Sequence, residues 1–421
     1  MLIGSDKIYI GYDLSYGYAQ ISYCRQLDDT PETYSLTEGT EQYNIPVSLF
    51  KRKGINQWFV GKEALVFSEH EEGVLIDNIY QKTLDMDTVL IEDEEFETIA
   101  LLALYVKRIL AMPGKIYRLD RIAGIMFTVP ELTEKAILVL QKLKVLLNLK
   151  DVPVFFQGRE ESIFQYAINQ PKELWKEEVV IFDGNERGLT SYCLKKNDNT
   201  KPVVVISDEV FHGELLEADE EKDSQFLEIV RDLEMPAFTC VFLIGEKFYG
   251  EWCQESLKEL CNNRRVFKGN NLYSKGACYG IQSKIKSKDS SDKTIIFLGK
   301  DKLKTNIGMQ VKRGGEDSYL AILDGGENWY ECKKEFQIII PEGNALQFLI
   351  TPLDGRNVQG IEIVLDELPE RPKKMTRLKV LATMLDSGTL NLTITDMGFG
   401  EFCQSSGMQF CQQIDLRDGG Y

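Results

Sequence analysis

The 421-residue chain has only two histidines, His70 and His212, and they stand in unrelated sequence contexts. A Ser-His-Asp triad or a multi-histidine metal centre is therefore not expected, because both need histidine beside other specific side chains. The nine cysteines are an odd number and include no CxxC pair. Neither zinc, haem nor a disulfide framework is expected, and the cysteines are interpreted as reduced thiols in a cytoplasmic protein.

Basic residues are also scarce, with 49 lysines and arginines against 66 acidic residues and a net charge of −17. This balance argues against nucleic acid or an anionic membrane as the main partner, because both need basic surfaces. No apolar run approaches the roughly 20 residues that span a bilayer. The first residues also lack the basic and apolar regions of a signal peptide. We therefore expect a cytoplasmic protein, and the oligomeric state stays open.

Hydrophobic residues make up 43% of the chain, which is enough to bury sizeable cores. Strand and helix patterns alternate in the first two thirds, which predicts an α/β region over 1–285 with lobes of about 1–170 and 171–285. A polar linker is predicted at 286–293. Beyond it, apolar runs of strand length separated by turn signals predict an all-β module over 294–421.

Local patterns add specific elements to this organisation. Buried strands are predicted at Ile122–Val129 and Cys240–Ile244, and long helices at Glu92–Gly114 and Leu132–Leu149. The acidic run Glu217–Ser224 is interpreted as a solvated loop rather than a metal site.

Two similar hairpins carry the most informative acidic residues. In "YIGYDLSYGYAQISY" Asp13 leaves a strand into a tight turn, and in "VIFDGNERGLTSYCL" Asp183 does the same. An aspartate at such a position either ends the strand or holds a metal–phosphate group. The residue pattern alone leaves both interpretations open.

The order of four segments resembles that of the actin-like ATPases. The two hairpins, "VFLIGEKFYGEWCQESLKEL" and "VFKGNNLYSKGACYGI" are similar to their two phosphate loops, adenosine loop and closing helix. Within this superfamily the chain resembles the DnaK-type seventy-kilodalton heat-shock proteins, as a degenerate uncharacterised bacterial member. The tail "RLKVLATMLDSGTLNLTITDMGFGE" is similar to a hairpin of their peptide-binding β-sandwich, and the resemblance covers roughly residues 7 to 400.

The resemblance implies an actin-like (ribonuclease H-like) ATPase fold with two lobes and a reduced upper subdomain, followed by a β-sandwich. It implies ATP and Mg²⁺ as ligands, with Asp13 and Asp183 holding the metal through water. The implied nucleotide-binding residues are Asp13, Ser15, Tyr16, Gly17, Lys82, Asp183, Gly184, Asn185, Gly245 and Glu246.

Several positions depart from the family pattern. The first turn reads "DLSYGYA" where the family has "DLGTTNS", and the second reads "DGNERGLTSY" where the family has "DLGGGTFDVS". Glu186 and Arg187 therefore replace glycines, and a glutamate facing triphosphate is repulsive. Whether Glu160 matches the family's catalytic glutamate depends on the register. No catalytic residue is assigned, and efficient ATP hydrolysis is not expected.

Three functions are compatible with this sequence. The first is a chaperone-like protein with a degenerate ATP site, a pseudo-ATPase that binds peptide or protein partners through the β-sandwich. The second is an active ATP-dependent chaperone switch with non-standard phosphate loops, in which Lys82 or Arg187 neutralises phosphate charge. The third is a small-molecule kinase of the same superfamily, for which the sequence offers no convincing carboxylate base.

Overall fold

The computed structural model describes residues 7–25, 30–286, 295–353 and 357–417, and these form a mixed α/β structure with several sheets. The chain divides into two compact units. Unit 1 comprises residues 1–195 and 207–293, and unit 2 comprises residues 196–206 and 294–421. Residues 287–293 of the predicted linker lie outside the described residues. The division of the first region into lobes near residue 170 stays a prediction.

The elements of unit 1 are numbered in chain order. Its strands are β1 (Ile8–Leu14), β2 (Tyr18–Arg25), β3 (Glu32–Thr33), β4 (Ile45–Pro46), β5 (Leu49–Arg52), β6 (Trp58–Val60), β7 (Gly73–Ile76), β8 (Thr88–Ile91), β9 (Glu94–Glu97), β10 (Ile122–Val129), β11 (Val154–Gly158), β12 (Val179–Asn185), β13 (Gly188–Asn197), β14 (Val203–Gly213), β15 (Cys240–Ile244) and β16 (Arg265–Lys268). Its helices are α1 (Lys62–His70), α2 (Ile79–Asp85), α3 (Thr98–Ala111), α4 (Glu134–Leu147), α5 (Arg159–Ile168), α6 (Asp219–Asp232), α7 (Gln254–Leu260) and α8 (Leu272–Lys286). None of the helices in the described residues is long and apolar enough to cross a membrane.

Two sheets of unit 1 repeat one strand order. The first runs β11-β10-β1-β2-β3, and the second runs β16-β15-β12-β13-β14. In each sheet an antiparallel hairpin, β1–β2 or β12–β13, is followed by two parallel strands. The parallel pairs need crossover connections, which the helices between the strands supply. As a result, Asp13 and Asp183 occupy equivalent positions near the ends of β1 and β12.

Helix α8 packs directly on β1 and on α5. A methyl group placed on Gly11 of β1 would overlap the backbone of Ser274 and Cys278 in α8. A methyl group on Gly276 of α8 would overlap the backbone of Ser162 in α5. Only glycine permits backbones to approach this closely. These contacts fix the first hairpin and the start of α5 relative to each other.

Several predicted elements are confirmed at their bounds. The strands at Ile122–Val129 and Cys240–Ile244 form as β10 and β15. The second long helix, predicted at Leu132–Leu149, forms as α4 and is two residues shorter at each end. Thr133 accepts a hydrogen bond from the backbone N–H of Ala136 at 3.2 Å. This N-cap satisfies one of the donors that the first helical turn leaves unpaired, which explains why the helix begins there.

The predicted helix Glu92–Gly114 is shorter than expected. Its acidic front forms the turn and second strand of the β8–β9 hairpin, and α3 begins only at Thr98. Glu92 and Asp93 adopt φ values of +49° and +66°, which a turn accepts and a right-handed helix does not. The acidic and the apolar parts of the predicted helix therefore belong to two separate elements.

The interpretation of Glu217–Ser224 as a solvated loop was wrong, because helix α6 begins at Asp219. Acidic residues in a first turn are favourable beside the positive end of the helix dipole. Asp223 is also buried, and its carboxylate accepts hydrogen bonds from the backbone N–H groups of Glu255 at 2.8 Å and Ser256 at 3.0 Å. The acidic run thus starts one helix and caps the beginning of α7.

Unit 2 consists mainly of antiparallel strands and contains no α-helix within its described residues. Its strands are β17 (Ile295–Leu298), β18 (Thr305–Arg313), β19 (Glu316–Leu323), β20 (Lys333–Ile340), β21 (Ala345–Pro352), β22 (Gln359–Val364), β23 (Thr376–Asp386), β24 (Thr389–Asp396) and β25 (Gln409–Asp415). They form two four-stranded sheets in the orders β19-β18-β21-β22 and β20-β23-β24-β25. The remaining strand, β17, pairs in parallel with Val203–Ile206, the part of β14 that belongs to unit 2.

One hydrophobic core in unit 2 draws on both four-stranded sheets. Alternate residues of β23 and β24 are buried, as expected when a sheet has one face on a core. Ile307 and Phe348 from the first sheet belong to the same buried cluster as Val380 and Leu392 from the second.

A buried ion pair fixes the loops at the end of this core. Asp396 is fully buried, and its two carboxylate oxygens each accept a hydrogen bond of 2.6 Å from Arg371. The backbone N–H of Ser406 donates a further bond at 2.8 Å. The Arg371 guanidinium beside Asp396 holds the pKa of that carboxyl well below its usual range.

Candidate functional site

Asp13, near the end of β1, is a fully buried carboxyl without a hydrogen-bond partner. Its side chain is 0% exposed, and neither carboxylate oxygen accepts a hydrogen bond from the described residues. Burial raises the pKa of Asp13 to about 7, although the guanidinium of Arg159 lowers it in part, and the carboxyl of Asp183 adds to the increase. Near neutral pH the Asp13 carboxyl is therefore protonated in part of the molecules.

Asp183, near the end of β12, is also buried but is well satisfied. Its Oδ2 accepts hydrogen bonds from the Tyr273 hydroxyl at 2.8 Å, from Asn185 Nδ2 at 3.0 Å and from Arg159 Nη1 at 3.3 Å. Burial raises the pKa of Tyr273, so its hydroxyl stays protonated and donates. Three donors on one oxygen satisfy the hydrogen-bonding needs of this buried carboxylate.

Arg159 lies between the two hairpin turns. It is the first residue of α5 and is only 8% exposed. Its Nη1 donates to Asp183 of the second hairpin, while its Nη2 donates to Ser15 Oγ of the first hairpin at 3.0 Å. Its guanidinium also stacks 4.6 Å from the centre of the Tyr273 ring. The chain thereby supplies a permanent cation where both aspartates converge.

The turns also contact each other at their tips. The Arg187 guanidinium of the second turn lies 3.9 Å from the centre of the Tyr16 ring in the first turn. The Tyr16 ring stacks in turn on Tyr80, with ring centres 5.9 Å apart. A methyl group placed on Gly17 would lie 3.0 Å from Glu186 Oε2, so the glutamate side chain is close to the first turn. The positions that sequence reasoning grouped around the phosphates are therefore adjacent in space.

The segment predicted to be an adenosine loop packs tightly behind the second turn. Gly245 has φ +91° and ψ +165°, a region that only glycine adopts readily. A methyl group there would overlap the carbonyl of Gly184 and lie 2.9 Å from Asp183 Oδ1. Glu246 accepts a hydrogen bond from Asn44 Nδ2 at 2.7 Å. These contacts close the space beside Asp183.

Two cavities flank the ion cluster that Asp13, Arg159 and Asp183 form. The one lined by Asp183, Gly245 and Tyr273 has a volume of about 20 Å³, which is room for about one water molecule. The other, a cleft lined by Ser15, Tyr16 and Arg159, has a volume of about 290 Å³.

The arrangement does not fit Mg²⁺ held between Asp13 and Asp183. The unpartnered oxygens of Asp13 alone would suit a hydrated cation. However, Arg159 already neutralises the charge of Asp183 and would repel a divalent ion at this distance. The small cavity beside Gly245 also lacks the volume of an adenosine group. Of the site residues that the sequence predicts, Asp13, Ser15 and Asp183 lie around the internal guanidinium of Arg159.

Sequence reasoning missed the residue at the centre of the site. Arg159 stands directly before Glu160 in the sequence, and neither Arg159 nor Tyr273 was predicted to have a role. Glu160 is buried next to Arg159 in the first turn of α5. Lys82 lies half-buried on α2 and lines neither of the two cavities. An arginine directly after a strand-ending glycine at a predicted site was the available signal.

Two models of protein families match the sequence of the chain. No curated protein is similar enough to count as a match. Residues 302–416 match a domain described as "Domain of unknown function (DUF8552)". Residues 30–300 match a family described as "Family of unknown function (DUF5716) C-terminal". Because this match spans more than half of the 421 residues, the chain belongs to the DUF5716 C-terminal family.

Proposed function

We propose that the protein is a chaperone-like pseudo-ATPase. In this proposal unit 1 is a two-lobed, actin-like domain of the DnaK type whose nucleotide site is replaced by an internal ion cluster. Unit 2 is a β-sandwich that binds extended peptides or protein partners without control by ATP. The proposal rests chiefly on one observation, the position of Arg159 between Ser15 and Asp183.

The repeated strand order of unit 1 supports the actin-like half of the proposal. Each sheet begins with a hairpin, and each hairpin carries an aspartate next to its turn, Asp13 or Asp183. The two aspartates are close enough for each to influence the same guanidinium. A duplicated sheet with paired hairpins around one cleft is the arrangement that the resemblance implies.

The ion cluster supports the second part of the proposal, that unit 1 does not need a nucleotide. Buried charges are stable only when they are paired and hydrogen-bonded, and Arg159 meets both needs of Asp183. Displacing this guanidinium to admit Mg²⁺ would leave a buried cation without its partner. Contacts between the turns, such as Arg187 on Tyr16, hold the same closed arrangement by means of the chain alone.

The sheets of unit 2 support the binding of extended chains. Each four-stranded sheet ends in two edge strands, β19 and β22 in one and β20 and β25 in the other. Edge strands carry main-chain donors and acceptors that can pair with an added strand. Side chains such as Ile339 on β20 and Val364 on β22 are about half exposed and would contact an apolar peptide.

Nucleotide titration of the full chain tests the first half. Thermal unfolding of the protein with millimolar ATP and Mg²⁺ should match unfolding without them, because a ligand stabilises only the state that it binds. Calorimetry should likewise give no saturable heat. Micromolar binding accompanied by turnover would refute the pseudo-ATPase assignment.

Hydrogen exchange tests the second half. A panel of extended apolar peptides should include sequences that slow amide exchange in an edge strand of unit 2, and a scrambled polar peptide serves as the control. If the whole panel leaves unit 2 unprotected, or if protection falls only in unit 1, the peptide-binding assignment is wrong.

One observation favours the active ATP switch as a second candidate. The two carboxylate oxygens of Asp13 are buried without partners, as a metal ligand would be before the metal binds. In that case ATP and Mg²⁺ would stabilise the wild-type chain, and Asp13→Asn and Asp183→Asn would each abolish the effect. An ATP effect that persists in both variants would dismiss this candidate.

A further inference from the structure

Strand β20 forms a free edge of the second sheet of unit 2. It pairs with β23 on one side, and within the described residues no strand pairs with its other side. Apart from the ladder with β23, the backbone groups of residues 335–340 make no hydrogen bond with any other residue that the structure describes. Their outward-facing N–H and C=O groups can therefore pair with an added strand.

The apolar residues of β20 lack cover on the same side. Phe336 and Ile338 pack against the core of unit 2 but remain partly exposed. The residues opposite them on β23, Val380 and Leu378, are fully buried. Ile339 is 46% exposed, and no charged residue occurs in 336–340. An added strand with apolar side chains would bury this surface and continue the core.

The three other edges of unit 2 are less favourable for such a strand. On β19 the carbonyl of Ala321 already accepts a hydrogen bond from the Lys334 side chain. Strand β22 has the exposed Glu362 in its middle, and β25 exposes three glutamines. Polar and charged side chains on an edge disfavour pairing with an apolar strand. Of the four edges, β20 thus offers the most continuous apolar surface.

The two ends of the β20 edge are positively charged. Lys333 begins the strand, and Lys374 lies at the other end, where its backbone N–H donates to the carbonyl of Pro341 at 3.0 Å. Both lysines are exposed, and neither forms an ion pair with a described residue. Two acidic residues beside the edge are already paired with other lysines, in Glu335–Lys379 at 3.0 Å and Glu342–Lys373 at 2.8 Å. A positive surface therefore remains in a chain of net charge −17, and it favours an acidic partner.

We propose that the free edge of β20 binds an extended segment of a partner protein, in which alternate apolar residues are flanked at both ends by acidic residues. The main chain of the segment extends the sheet, and its apolar side chains cover Phe336 and Ile338. Its acidic ends lie near Lys333 and Lys374. Pairing with the β20 edge of a second copy is disfavoured, because it brings two positive surfaces together. The inference rests on the proposed binding of extended chains by unit 2, and it assigns that binding to one edge and one kind of sequence.

Three synthetic peptides test the chemistry on the full chain. The eight residues of β20 span about 27 Å, so a nonapeptide covers the edge. The first probe has blocked ends, alternating valine and threonine at the five central positions, and two glutamates on each side. In the second probe lysines replace the glutamates, and in the third the alternate central amides of the first are N-methylated.

Calorimetry at low salt should show saturable binding of the glutamate-flanked probe. The lysine-flanked probe should bind about tenfold more weakly or less, and the difference should shrink as salt is raised, because counterions screen exposed charges. The N-methylated probe keeps the side chains but cannot extend the sheet, so it should not bind. Equal affinities of all three probes, or no binding of the first, would overturn the proposal.

Charge reversal locates the acidic ends of the peptide. The double variant Lys333→Glu and Lys374→Glu should weaken the glutamate-flanked probe about tenfold and strengthen the lysine-flanked probe, since both flanking charges change sign. The matched control is Lys135→Glu with Lys142→Glu at exposed positions of α4, which changes the net charge equally and should leave both affinities unchanged. If the first double variant keeps the preference for glutamate, the two lysines do not contact the peptide and the proposal is wrong.

Amide hydrogen exchange identifies the edge itself. The glutamate-flanked probe should slow exchange in residues 335–340. Protection of β19, β22 or β25 instead would refute the assignment to β20 while leaving peptide binding by unit 2 intact. No protection in any strand of unit 2 would refute both. Protection of residues 335–340 that rises with protein concentration in the absence of peptide would show that a second copy occupies the edge, and would also overturn the proposal.

Discussion

Arg159 Nη1 lies 3.3 Å from Asp183 Oδ2, and both side chains are more than nine-tenths buried. A buried ion pair gains little over a well-packed apolar pair, but the removal of one partner leaves an uncompensated charge in a medium of low polarity. This pair also joins the start of α5 to the end of β12. The two turns of the candidate site therefore depend on one guanidinium.

Arg159→Met should destabilise unit 1 by about 3 to 5 kcal/mol, because methionine fills part of the volume but leaves Asp183 unpaired. Urea unfolding at pH 7 measures the loss. Arg118→Met, which removes an exposed pair with Asp120, is the control and should cost less than about 0.5 kcal/mol. Adding Asp183→Asn to Arg159→Met should recover part of the stability, and a purely additive loss would contradict the charge argument.

Asp13→Asn should stabilise the protein above neutral pH. The folded pKa of Asp13 is about 7, whereas an unfolded aspartate titrates near 3.9. Between these values the native state binds the extra proton, so the stability of the wild type falls as the pH rises from about 4 to 7. Asparagine mimics the protonated carboxyl and removes this loss, which amounts to at most about 4 kcal/mol.

Unfolding measured from pH 4.5 to 8.5 checks this prediction. The two proteins should have similar stability near pH 4.5, and the advantage of Asp13→Asn should grow until about pH 7 and then level off. Asp120→Asn, at an exposed position, should leave the pH profile of the wild type unchanged. If the advantage of Asp13→Asn is constant across this range, the raised pKa is excluded as its cause.

Gly245→Ala should destabilise the second hairpin by about 3 kcal/mol or more, since strain and steric overlap act together. The matched variant is Gly250→Ala, where φ is +84° but no atom lies within 4 Å of an added methyl group. That variant carries only the backbone strain and should cost about 1 kcal/mol. Equal losses in the two variants would show that the close approach to Gly184 is not needed.

Arg371→Met should destabilise unit 2 by about 3 to 5 kcal/mol, because it leaves the fully buried Asp396 carboxylate without its bidentate partner. Amide hydrogen exchange separates this unit from unit 1, and the loss should appear in β23 and β24. Arg417→Met, at an exposed pair with Asp415, is the control. Faster exchange in unit 1 alone would contradict the assignment.

Lowering the pH should destabilise unit 2 of the wild-type protein, in part as Arg371→Met does. The pKa of Asp396 is lowered by Arg371, although burial acts in the opposite direction, so its contribution to stability is present above the ordinary aspartate range. It is lost as the pH falls below about 4 toward the folded pKa. Asp396→Asn should remove this acid dependence, and an unchanged acid limb in the variant would show that another group causes it.

Periodicity was sufficient to predict the buried strands β10 and β15 and the presence of helix α4. Ile122–Val129 and Cys240–Ile244 are apolar runs that parallel strands bury on both faces, so their bounds could be read directly. The acidic run before α6 was misread because its role depends on a partner 32 residues away, the start of α7. From the sequence alone, an acidic run in a loop cannot be distinguished from one in the first turn of a helix. The distinction needs the position of α7, which the acidic run contacts.

The position of the candidate site could be predicted from the sequence, but the arginine at its centre could not. Asp13 and Asp183 are marked by their hairpins, which are local features of the sequence. Arg159 reaches them only because Gly11, Gly276 and their neighbours allow α5, α8 and β1 to pack backbone to backbone. Such long-range packing is set by the whole fold and leaves no periodic signal near residue 159.

A cation that is part of the chain has consequences that a bound ion does not have. Arg159 cannot dissociate, be chelated or be hydrolysed, and its local concentration beside Asp183 does not vary with the cell's supply of magnesium or adenylates. The contact of Arg159 with both hairpin turns therefore needs no bound metal or nucleotide. Any signal that opens them has to act on the side chains themselves, by protonation, mutation or the pull of a bound partner.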